Sequence, residues 1–567
     1  MKKKNLIFLG IVLALINGCK KEKMSSVSSI HYDNLKMEKP AEGIFGMVSS
    51  AHPLATKAGL EILKKGGNAF DAAIATAATL NVVEPMMSGI GGYGTILIYD
   101  AKKSQIRFLD SSGKIPVNTN PDAFRKPTPG YRENRKGPKA VSTPGNLNAW
   151  EAISKTYGTL DWPRLFQPAI KTARSGYILD KRIARFIKHA FSTFPEHAKK
   201  IFGKDGKPLQ SDEKLVQKDL AKTLQLIADK GAAVLYGGEL GKKIAAEMRR
   251  TGGFLSLIDL LEDKAEWWEP VSITYRDCRV YTASPPSTAF PSLIRLGIMS
   301  RFNLKKSGHN SLDMLHKFIE VTKHAFQCRL QYAGDPEVKP PPLDMLLSEK
   351  YWQEQAGKID LKQAKPFSYP GLSPTPQQHT THFVVADSQG NIVCATQTLG
   401  NVFGSRIMPE GTGVWLNNSL AYCTFEPAGN PMDAHPGRRK LSGDCPTIIV
   451  RKGKPWAALG TPGGHTIGQT VPQMVMNLID FDMDIAKAIS APRVSFIEPG
   501  TIAVEAGIEK PIRDGLVSLG HKINVLRKPR GLGNAHGLTV EYDKEGKPVR
   551  FTGAADPRGA GLAQGLK

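Results

Sequence analysis

The chain has 567 residues, of which 41% are hydrophobic and 23% are charged. This composition is typical of a globular protein with one large core or two closely packed cores, and it excludes collagen-like, coiled-coil and disordered chains. Lys and Arg outnumber Asp and Glu by 76 to 52, so the formal net charge is +24. In a cytosolic protein such an excess would favour a nucleic-acid partner.

The N-terminus instead predicts export. Lysines occupy positions 2–4, and the uncharged run at 6–16 is about half as long as a membrane-spanning helix. It ends in Ile16-Asn17-Gly18-Cys19, which resembles a bacterial lipobox. We expect residues 1–18 to be a lipoprotein signal peptide, Cys19 to carry lipid, and 19–44 to form a polar tether. A plain signal peptide with an incidental Cys is the alternative.

These features predict a protein of the bacterial cell envelope, lipid-anchored in a membrane and facing the periplasm or the cell surface. An exported protein rarely meets nucleic acid, so we expect no such partner. The positive charge then favours anionic envelope surfaces or serves only solubility. None of the six cysteines forms a CxxC pair, so we expect neither a metal nor another cofactor. The sequence leaves open whether any disulfide forms.

The first half of the chain is predicted to be mostly helical. A helix over 54–65 ends at Gly66-Gly67, and Asn68 can cap a second helix that reaches about residue 83. A glycine-rich loop at 88–94 then opens a strand. A dinucleotide-binding loop would follow a strand and open a helix, so we reject that interpretation. Residues 140–335 are mostly helical in pattern, with a strand-like stretch at 271–283 and a long amphipathic helix from Ser311.

The composition and the predicted secondary structure change after residue 364. The segment 364–379 is rich in Pro, Ser and Gln and has the pattern of an exposed linker. Strands are predicted at once beyond it, over 381–386 and 392–398, joined by a hairpin loop. We predict further strands at 413–416, 447–450 and 457–460, and then a helix over about 471–480. The junction divides the chain into 45–379 and 380–567.

The junction itself suggests a catalytic group. A linker ending in His379-Thr380 and followed by a buried strand could be cut to expose an N-terminal threonine. The hydroxyl of such a threonine attacks, and its own α-amine, with a pKa of about 7.7–8.0, accepts the proton. The same hydroxyl can perform the cut by an N-to-O acyl shift. The adjacent Thr381 is an alternative nucleophile.

Ordered motifs along most of 45–560 resemble those of the γ-glutamyltransferase family. They are Gly66-Gly67-Asn68-Ala69-Phe70-Asp71-Ala72-Ala73, Glu84-Pro85 through Gly94, Tyr332-Ala333-Gly334-Asp335-Pro336, Thr380-Thr381-His382-Phe383, Leu416-Asn417-Asn418, Gly460-Thr461-Pro462-Gly463-Gly464, Ala491-Pro492-Arg493 and Asp556-Pro557-Arg558. The resemblance implies an α+β, four-layer αββα N-terminal-nucleophile hydrolase fold. It also implies self-cleavage into a large helix-rich and a small strand-rich subunit that remain associated as a heterodimer.

The resemblance assigns roles to individual positions. Thr380 aligns with the nucleophile and Thr398 with a threonine whose hydroxyl assists it. The backbone of Gly463 and Gly464 aligns with the oxyanion hole, where glycines allow N–H groups to approach the developing charge. The alternatives are an ordinary strand-face threonine at 398 and a plain tight turn at 463–464.

The residues that bind the glutamyl head depart from the family pattern. Ser112 stands where the family has an Arg that binds the α-carboxylate, and Lys114 is the nearest substitute cation. Tyr422 stands where the family has an Asp that binds the ammonium. The expected Asn is Gly400, with Asn401 beside it, and the expected Ser-Ser pair is Ser442-Gly443.

Three functional hypotheses follow. The first is a self-cleaving threonine amidohydrolase or acyltransferase that forms an acyl-enzyme on Thr380 and acts on an amide other than a standard γ-glutamyl compound. The second is a genuine glutathione hydrolase in which Lys114, Asn401, Ser442, Arg438 or Arg439 rebuilds the glutamyl site. The third is an inactive, surface-anchored binding protein.

Overall fold

The computed structural model describes residues 30–31, 39–368, 379–526 and 530–567. The predicted signal peptide, most of the tether and most of the linker lie outside these residues. Twenty-three strands are numbered here in chain order: β1 Ile30–His31, β2 Ala41–Gly43, β3 Gly46–Ser50, β4 Tyr93–Asp100, β5 Gln105–Ser111, β6 Tyr177–Ile178, β7 Gly203–Lys204, β8 Lys207–Pro208, β9 Lys214–Leu215, β10 Glu266–Trp268, β11 Val271–Tyr275, β12 Cys278–Thr282, β13 His379–Asp387, β14 Ile392–Gly400, β15 Thr447–Arg451, β16 Lys454–Gly460, β17 Val494–Ile497, β18 Thr501–Glu505, β19 Ile523–Leu526, β20 Arg530–Gly531, β21 His536–Tyr542, β22 Pro548–Ala555 and β23 Leu562–Leu566.

Seventeen α-helices accompany them in the described part of the chain. They are α1 Pro53–Lys64, α2 Ala69–Val83, α3 Asn146–Tyr157, α4 Trp162–Ser175, α5 Lys181–Ala190, α6 Glu196–Phe202, α7 Lys218–Lys230, α8 Glu239–Thr251, α9 Leu257–Glu262, α10 Phe290–Met299, α11 Leu304–Ser307, α12 Leu312–Tyr332, α13 Leu343–Leu346, α14 Glu349–Gly357, α15 Ile467–Ile479, α16 Ile485–Ser490 and α17 Lys510–Ser518. Among the described residues, no helix combines the length and apolar character that crossing a membrane requires.

Two seven-stranded sheets form the centre of the molecule. The first has the order β10-β5-β4-β14-β13-β3-β23, and the second has the order β11-β12-β15-β16-β21-β22-β2. Both sheets contain strands from before and after the predicted cleavage point. Backbone hydrogen bonds in both sheets therefore join the two predicted subunits.

Helices cover the outer faces of the two sheets. One buried cluster joins α1, α2, α4 and α7 to the first sheet through residues such as Phe383 and Val385. A second cluster lies between the sheets and continues to α10, α12 and α15, and it includes Val384 and Ala386. Successive side chains of β13 thus alternate between the two clusters, as the period of a strand requires. The predicted αββα architecture is confirmed.

Local capping explains several element boundaries. Asn68 and Asp71 form a capping box at the start of α2, and the Ser311 hydroxyl accepts from the Met314 amide to begin α12.

The strand-like stretch at 271–283 is a hairpin, β11 and β12. The strand predicted at 413–416 is wrong: this segment is irregular, because Gly413 has a φ of 67° and packs closely against Leu220. The five described cysteines are free and buried.

Candidate active site

The predicted nucleophile lies at the start of β13, in the centre of the first sheet. Thr380 is directly opposite Thr398 of β14, which in turn is opposite Tyr93 of β4. Directly opposed side chains share one face of a sheet. His382 lies on this face as well, packed so closely on Gly460 of the second sheet that a Cβ there would be 2.4 Å from its ring. Thr380 therefore faces the space between the sheets.

Thr380 and Thr398 differ in the hydrogen bonds that their hydroxyl groups form. The Thr398 hydroxyl donates to the His379 carbonyl oxygen at 2.6 Å, and the Gly400 amide donates to the Thr398 hydroxyl at 2.7 Å. The Thr380 hydroxyl is buried and has no hydrogen-bond partner in the described part of the chain. The carbonyl of the predicted scissile bond is thus polarised, while the hydroxyl beside it is uncommitted.

The alternative nucleophile is engaged elsewhere. Thr381 points to the opposite face, where its hydroxyl donates to Glu84 at 2.8 Å. Glu84 also forms an ion pair with Arg182 at 2.8 Å. Burial raises the pKa of the Glu84 carboxyl, while Arg182 and the Thr381 hydroxyl lower it. This arrangement favours Thr380 over Thr381.

The residue before the junction is held neutral. Burial lowers the pKa of His379 to about 4, and the charges of Arg182 and Arg406 act in the same direction. The His379 ring packs edge-on against Phe186 with 5.5 Å between centroids. Since His379 belongs to β13, the strand begins before the cleavage point and holds both sides of the predicted scissile bond in place.

The paired glycines follow β16, the strand that carries Gly460. Gly463 and Gly464 have φ values of 142° and 60°, which side chains with a Cβ rarely adopt. The backbone N–H and the hydroxyl of Thr466 both donate to the Gly463 carbonyl, at 3.2 and 2.9 Å. No described residue accepts a hydrogen bond from the amides of Gly463 and Gly464. Two N–H groups are therefore available at the end of the second sheet.

Ser112, at the position where the resemblance predicts a carboxylate-binding Arg, lies in a group of buried charged residues. The Ser112 hydroxyl donates to Asp110 at 2.9 Å. The Arg439 guanidinium lies beside them, 3.1 Å from Asp110 and 2.8 Å from Glu266. Arg439 thus reaches the neighbourhood of Ser112 from another segment, but acids already neutralise its charge. Arg438 pairs with Glu337 at the surface.

Tyr422, at the position where the resemblance predicts an ammonium-binding Asp, contacts a second group of buried charged residues. A Cβ at Gly443 would be 2.8 Å from the Tyr422 hydroxyl oxygen, so the absent side chain makes room for the tyrosine. The Lys440 ammonium lies 3.3 Å from the Tyr93 ring centroid and 5.6 Å from that of Tyr422. Burial lowers the pKa of Lys440 and raises the pKa of nearby Asp444. We call Ser112, Tyr422, Gly443 and the buried charged residues near them (Asp110, Arg439, Lys440, Asp444) the glutamyl-site network.

The remaining predicted binding residues lie around this network. The Ser442 hydroxyl donates to Asp444 at 2.9 Å, and Lys114 forms an antiparallel backbone bridge with Arg439. Gly400 has a φ of 95°, and a Cβ there would be 2.2 Å from the Asn418 side-chain oxygen. The Asn401 side-chain oxygen is buried and has no partner among the described residues. It is a candidate contact for a substrate.

Sequence reasoning did not identify Asp110, Lys440 or Asp444 as part of this region. The three are buried charged residues, and Asp110 lies far in sequence from Lys440 and Asp444. A weak signal was available, since Lys440 and Asp444 flank Ser442-Gly443, where the resemblance predicts a Ser-Ser pair. Nothing in the sequence shows that Lys440 stacks on Tyr93.

One cluster has the side chains of a metal site. His316, Glu320 and His521 offer ligand atoms within 4.8 Å of one another. However, His316 and His521 share a hydrogen bond of 2.8 Å, and the Lys323 ammonium is 2.7 Å from Glu320. The His316–His521 hydrogen bond occupies one nitrogen of each ring, and the Lys323 ammonium neutralises Glu320 and opposes a cation. The cluster does not fit a metal.

Comparison with known proteins identifies the family of the chain. Residues 55–566 match the model of the gamma-glutamyltranspeptidase family. The chain is 34% identical over 538 residues to the glutathione hydrolase proenzyme of Escherichia coli K12, covering 92% of this chain and 91% of the relative. It is 34% identical over 546 residues to the acylase ACY 1 proenzyme of Pseudomonas sp. SE83, covering 92% and 96%. Cephalosporin acylase from Bacillus halodurans superposes with a TM-score of 0.85 at 30% identity, covering 94% of this chain and 98% of that chain.

Proposed function

The chain belongs to the γ-glutamyltranspeptidase family of N-terminal-nucleophile amide hydrolases, and on that premise we propose that it acts on an amide whose acyl group lacks a free amino-acid head. The glutamyl-site network carries this proposal. Its cations already have acids beside them, and Tyr422 fills the space near Gly443. A substrate carboxylate or ammonium would lose water there without gaining a free counter-charge, which is costly.

We propose that the reaction begins with self-cleavage. The Thr380 hydroxyl attacks the His379 carbonyl carbon while Thr398 donates to the carbonyl oxygen. The N-to-O acyl shift forms an ester and frees the Thr380 amine, and water then releases the His379 carboxylate. The products are a fragment that begins at Cys19, once the predicted signal peptide is removed, and carries the large subunit, 45–379, and a small catalytic subunit, 380–567. That the curated relatives are named proenzymes supports this step.

In the processed enzyme, the free α-amine of Thr380 takes the proton from its own hydroxyl, which attacks the substrate carbonyl. The N–H groups of Gly463 and Gly464 stabilise the oxyanion, a contribution of about 2.7–4 kcal/mol per donor in a comparable site. The amine part of the substrate is the leaving group and departs with this proton. Water or a second amine then takes the acyl group from Thr380. The acylase names among the relatives support an acyl group other than glutamyl.

Matched chromogenic amides test the substrate class. Processed enzyme is assayed with γ-glutamyl-p-nitroanilide and with glutaryl-p-nitroanilide, which differ only in the α-amino group. We expect kcat/KM to be at least about tenfold higher without the amino group, since no free carboxylate receives it. Robust turnover of the γ-glutamyl compound would favour a genuine glutathione hydrolase with a rebuilt site. Absence of both processing and turnover would favour the inactive binding protein.

We also propose that Cys19 carries the lipid that anchors the enzyme to a membrane of the bacterial envelope. The lipobox-like sequence supports this, and it lies outside the residues that the structure describes. Labelling with radioactive palmitate should mark the full-length protein and leave Cys19→Ala unlabelled. Equal labelling of both proteins would contradict the anchor.

A further inference from the structure

The end of the molecule opposite the reaction centre is formed by turns of both central sheets. β13 runs from Thr380 to Asp387, about 24 Å away at the usual rise along an antiparallel strand. Asp387 pairs with Gly46 at the start of β3. The turn 44–45, which joins β2 to β3, therefore lies at the end that is far from Thr380.

Two lysine-bearing turns lie at the same end. Tyr99 of β4 pairs with Ile392, the first residue of β14, so the turn 101–104 lies beside the turn between β13 and β14. β16 runs from the turn 452–453 to Gly460, just before the paired glycines of the reaction centre. We call the turns 44–45, 101–104 and 452–453, with the neighbouring Lys39 and Lys64, the distal surface.

Positive charge accumulates on the distal surface. Lys39 and Lys64 line a groove beside the C-terminal strand β23, and Glu42 of the same groove lies 3.9 Å from Arg550. The turn 543–547 carries two lysines and two acidic residues, so it adds no net charge. The exposed lysines that form no ion pair with a described residue are Lys39, Lys64, Lys102, Lys103 and Lys452.

Two adjacent hydrophobic side chains are exposed among these cations. Ile44 is 49% exposed and Phe45 is 54% exposed. The backbone amides of both residues donate to the Leu566 carbonyl at 2.9 Å. A Cβ on Gly43 would be 2.5 Å from the Gly46 carbonyl oxygen, so the turn is tight. The backbone thus holds an apolar pair in place on a basic surface, a combination that suits a membrane interface.

We propose that the distal surface binds an anionic lipid membrane and so directs the reaction centre away from it. Lysines near a membrane are attracted to anionic headgroups, and apolar side chains become buried at the boundary with the acyl chains. This inference concerns a surface that the proposed amide reaction does not use. It assigns a place and a partner to part of the positive charge of the chain.

The course of the predicted tether is compatible with this orientation. The described chain resumes at Lys39, on the distal surface, and the twenty residues from Cys19 to Lys39 span at most about 66–72 Å. Ile30 and His31 pair with β20, which precedes the reaction-centre end of β21. The eleven residues from Cys19 to Ile30 still span up to about 36–40 Å, which exceeds the length of β13. Cys19 can therefore reach a membrane at the distal surface.

Vesicle binding tests the proposal on protein that carries no lipid. The chain 19–567 with Cys19→Ala is sedimented with vesicles of phosphatidylcholine, either pure or mixed with phosphatidylglycerol. We expect the partition coefficient to be at least about tenfold higher on the anionic vesicles and to fall when salt is added. Equal binding to the two kinds of vesicle, or no binding to either, would overturn the proposal.

A double variant tests the apolar pair. Ile44→Ser with Phe45→Ser should lower the partition coefficient on anionic vesicles by about tenfold or more, because two side chains no longer become buried at the interface. The control is Ile258→Ser with Leu261→Ser, two side chains that are 58% and 55% exposed on α9. This helix leads into β10, which pairs with β5 at Asp110. Equal losses in the two double variants would overturn the proposal.

A second double variant tests the lysines. Lys102→Gln with Lys103→Gln should lower the partition coefficient by about ten- to thirtyfold, whereas Lys242→Gln with Lys243→Gln, an exposed pair on α8, should change it by less than about threefold. An equal effect of the two pairs would mean that total charge and not the distal surface determines binding, and would overturn the proposal. The assay measures binding, so neither the substrate class nor acylation of Cys19 affects its outcome.

Discussion

The reaction centre (Thr380, Thr398, Gly463 and Gly464) and the glutamyl-site network are neighbours, yet they differ in what they leave unpaired. In the reaction centre, the Thr380 hydroxyl and the amides of two glycines have no partner among the described residues. In the network, the charges of Arg439 and Asp110 compensate each other across 3.1 Å, although Arg439 Nη1 and Asp110 Oδ1 have no hydrogen-bond partner among the described residues. The reaction centre thus leaves neutral hydrogen-bonding groups free, whereas the network holds charges that neutralise one another.

The largest effect should follow from removal of the nucleophile. We expect Thr380→Ala to remain a single chain, with residual amidase activity at least about a thousandfold lower, because both reactions need the same hydroxyl. Intact-mass spectrometry and hydrolysis of glutaryl-p-nitroanilide provide the two readouts. Thr381→Ala is the matched control and should still process itself, since Thr381 bonds to Glu84. Cleavage of the Thr380→Ala chain at 379–380 would contradict this assignment.

The next effect should come from the hydroxyl that bonds to the His379 carbonyl. Thr398→Ala should slow self-cleavage by about a hundred- to a thousandfold, the usual loss for one oxyanion donor. Thr398→Ser keeps a hydroxyl and should restore the rate to within about tenfold. The rate is measured by following fragment formation after refolding. Equal rates for Thr398→Ala and the unchanged chain would show that the 2.6 Å contact has no role in cleavage.

Within the network, the effect should be on stability. Gly443→Ala places a Cβ 2.8 Å from the Tyr422 hydroxyl and should cost about 1–3 kcal/mol of unfolding free energy. In a Tyr422→Phe background the cost should fall by about 1 kcal/mol or more, because the closest atom is gone. Urea unfolding of the four proteins forms a double-mutant cycle. Additive effects would mean that Tyr422 and Gly443 are independent.

The smallest effect concerns the pH dependence of the unfolding free energy and arises from a buried histidine on the inter-sheet face. Burial lowers the pKa of His536, next to His382 on the inter-sheet face, to about 3. Below pH 6.5 the unfolded chain binds a proton that the folded chain does not, so this histidine costs up to about 1.4 kcal/mol per pH unit. Buried carboxyls such as Asp263, with a pKa raised to about 6, act in the opposite sense.

Substitution of His536 isolates its contribution to the pH dependence of stability. His536→Gln should lose less stability than the unchanged protein between pH 7 and pH 5, by about 1–2 kcal/mol. The measurement is the urea midpoint in the uncleaved Thr380→Ala chain at both pH values. The same loss in both proteins would contradict a neutral, buried His536.

Sequence reasoning succeeded where local chemistry decides the structure. The cap at Asn68, the start of α12 at Ser311 and the strands after the linker follow from side-chain type and spacing, and the four-layer fold followed from the ordered motifs. It failed at 413–416, where Gly413 packs against Leu220 and tertiary contact overrides β-propensity. It also could not show that Tyr422 and Gly443 compensate each other, since their contact joins positions with no pattern between them.

The composition of the two sheets has a further consequence for how the protein folds and loses activity. Each sheet contains strands from both sides of residue 379. The two fragments therefore acquire their fold together, as one uncut chain. After the cut we propose, refolding becomes a meeting of two molecules, and its yield depends on concentration. Thermal inactivation of the processed enzyme should then be governed by the rate of opening rather than by an equilibrium. Self-cleavage would in this way produce the nucleophile and make unfolding less readily reversible.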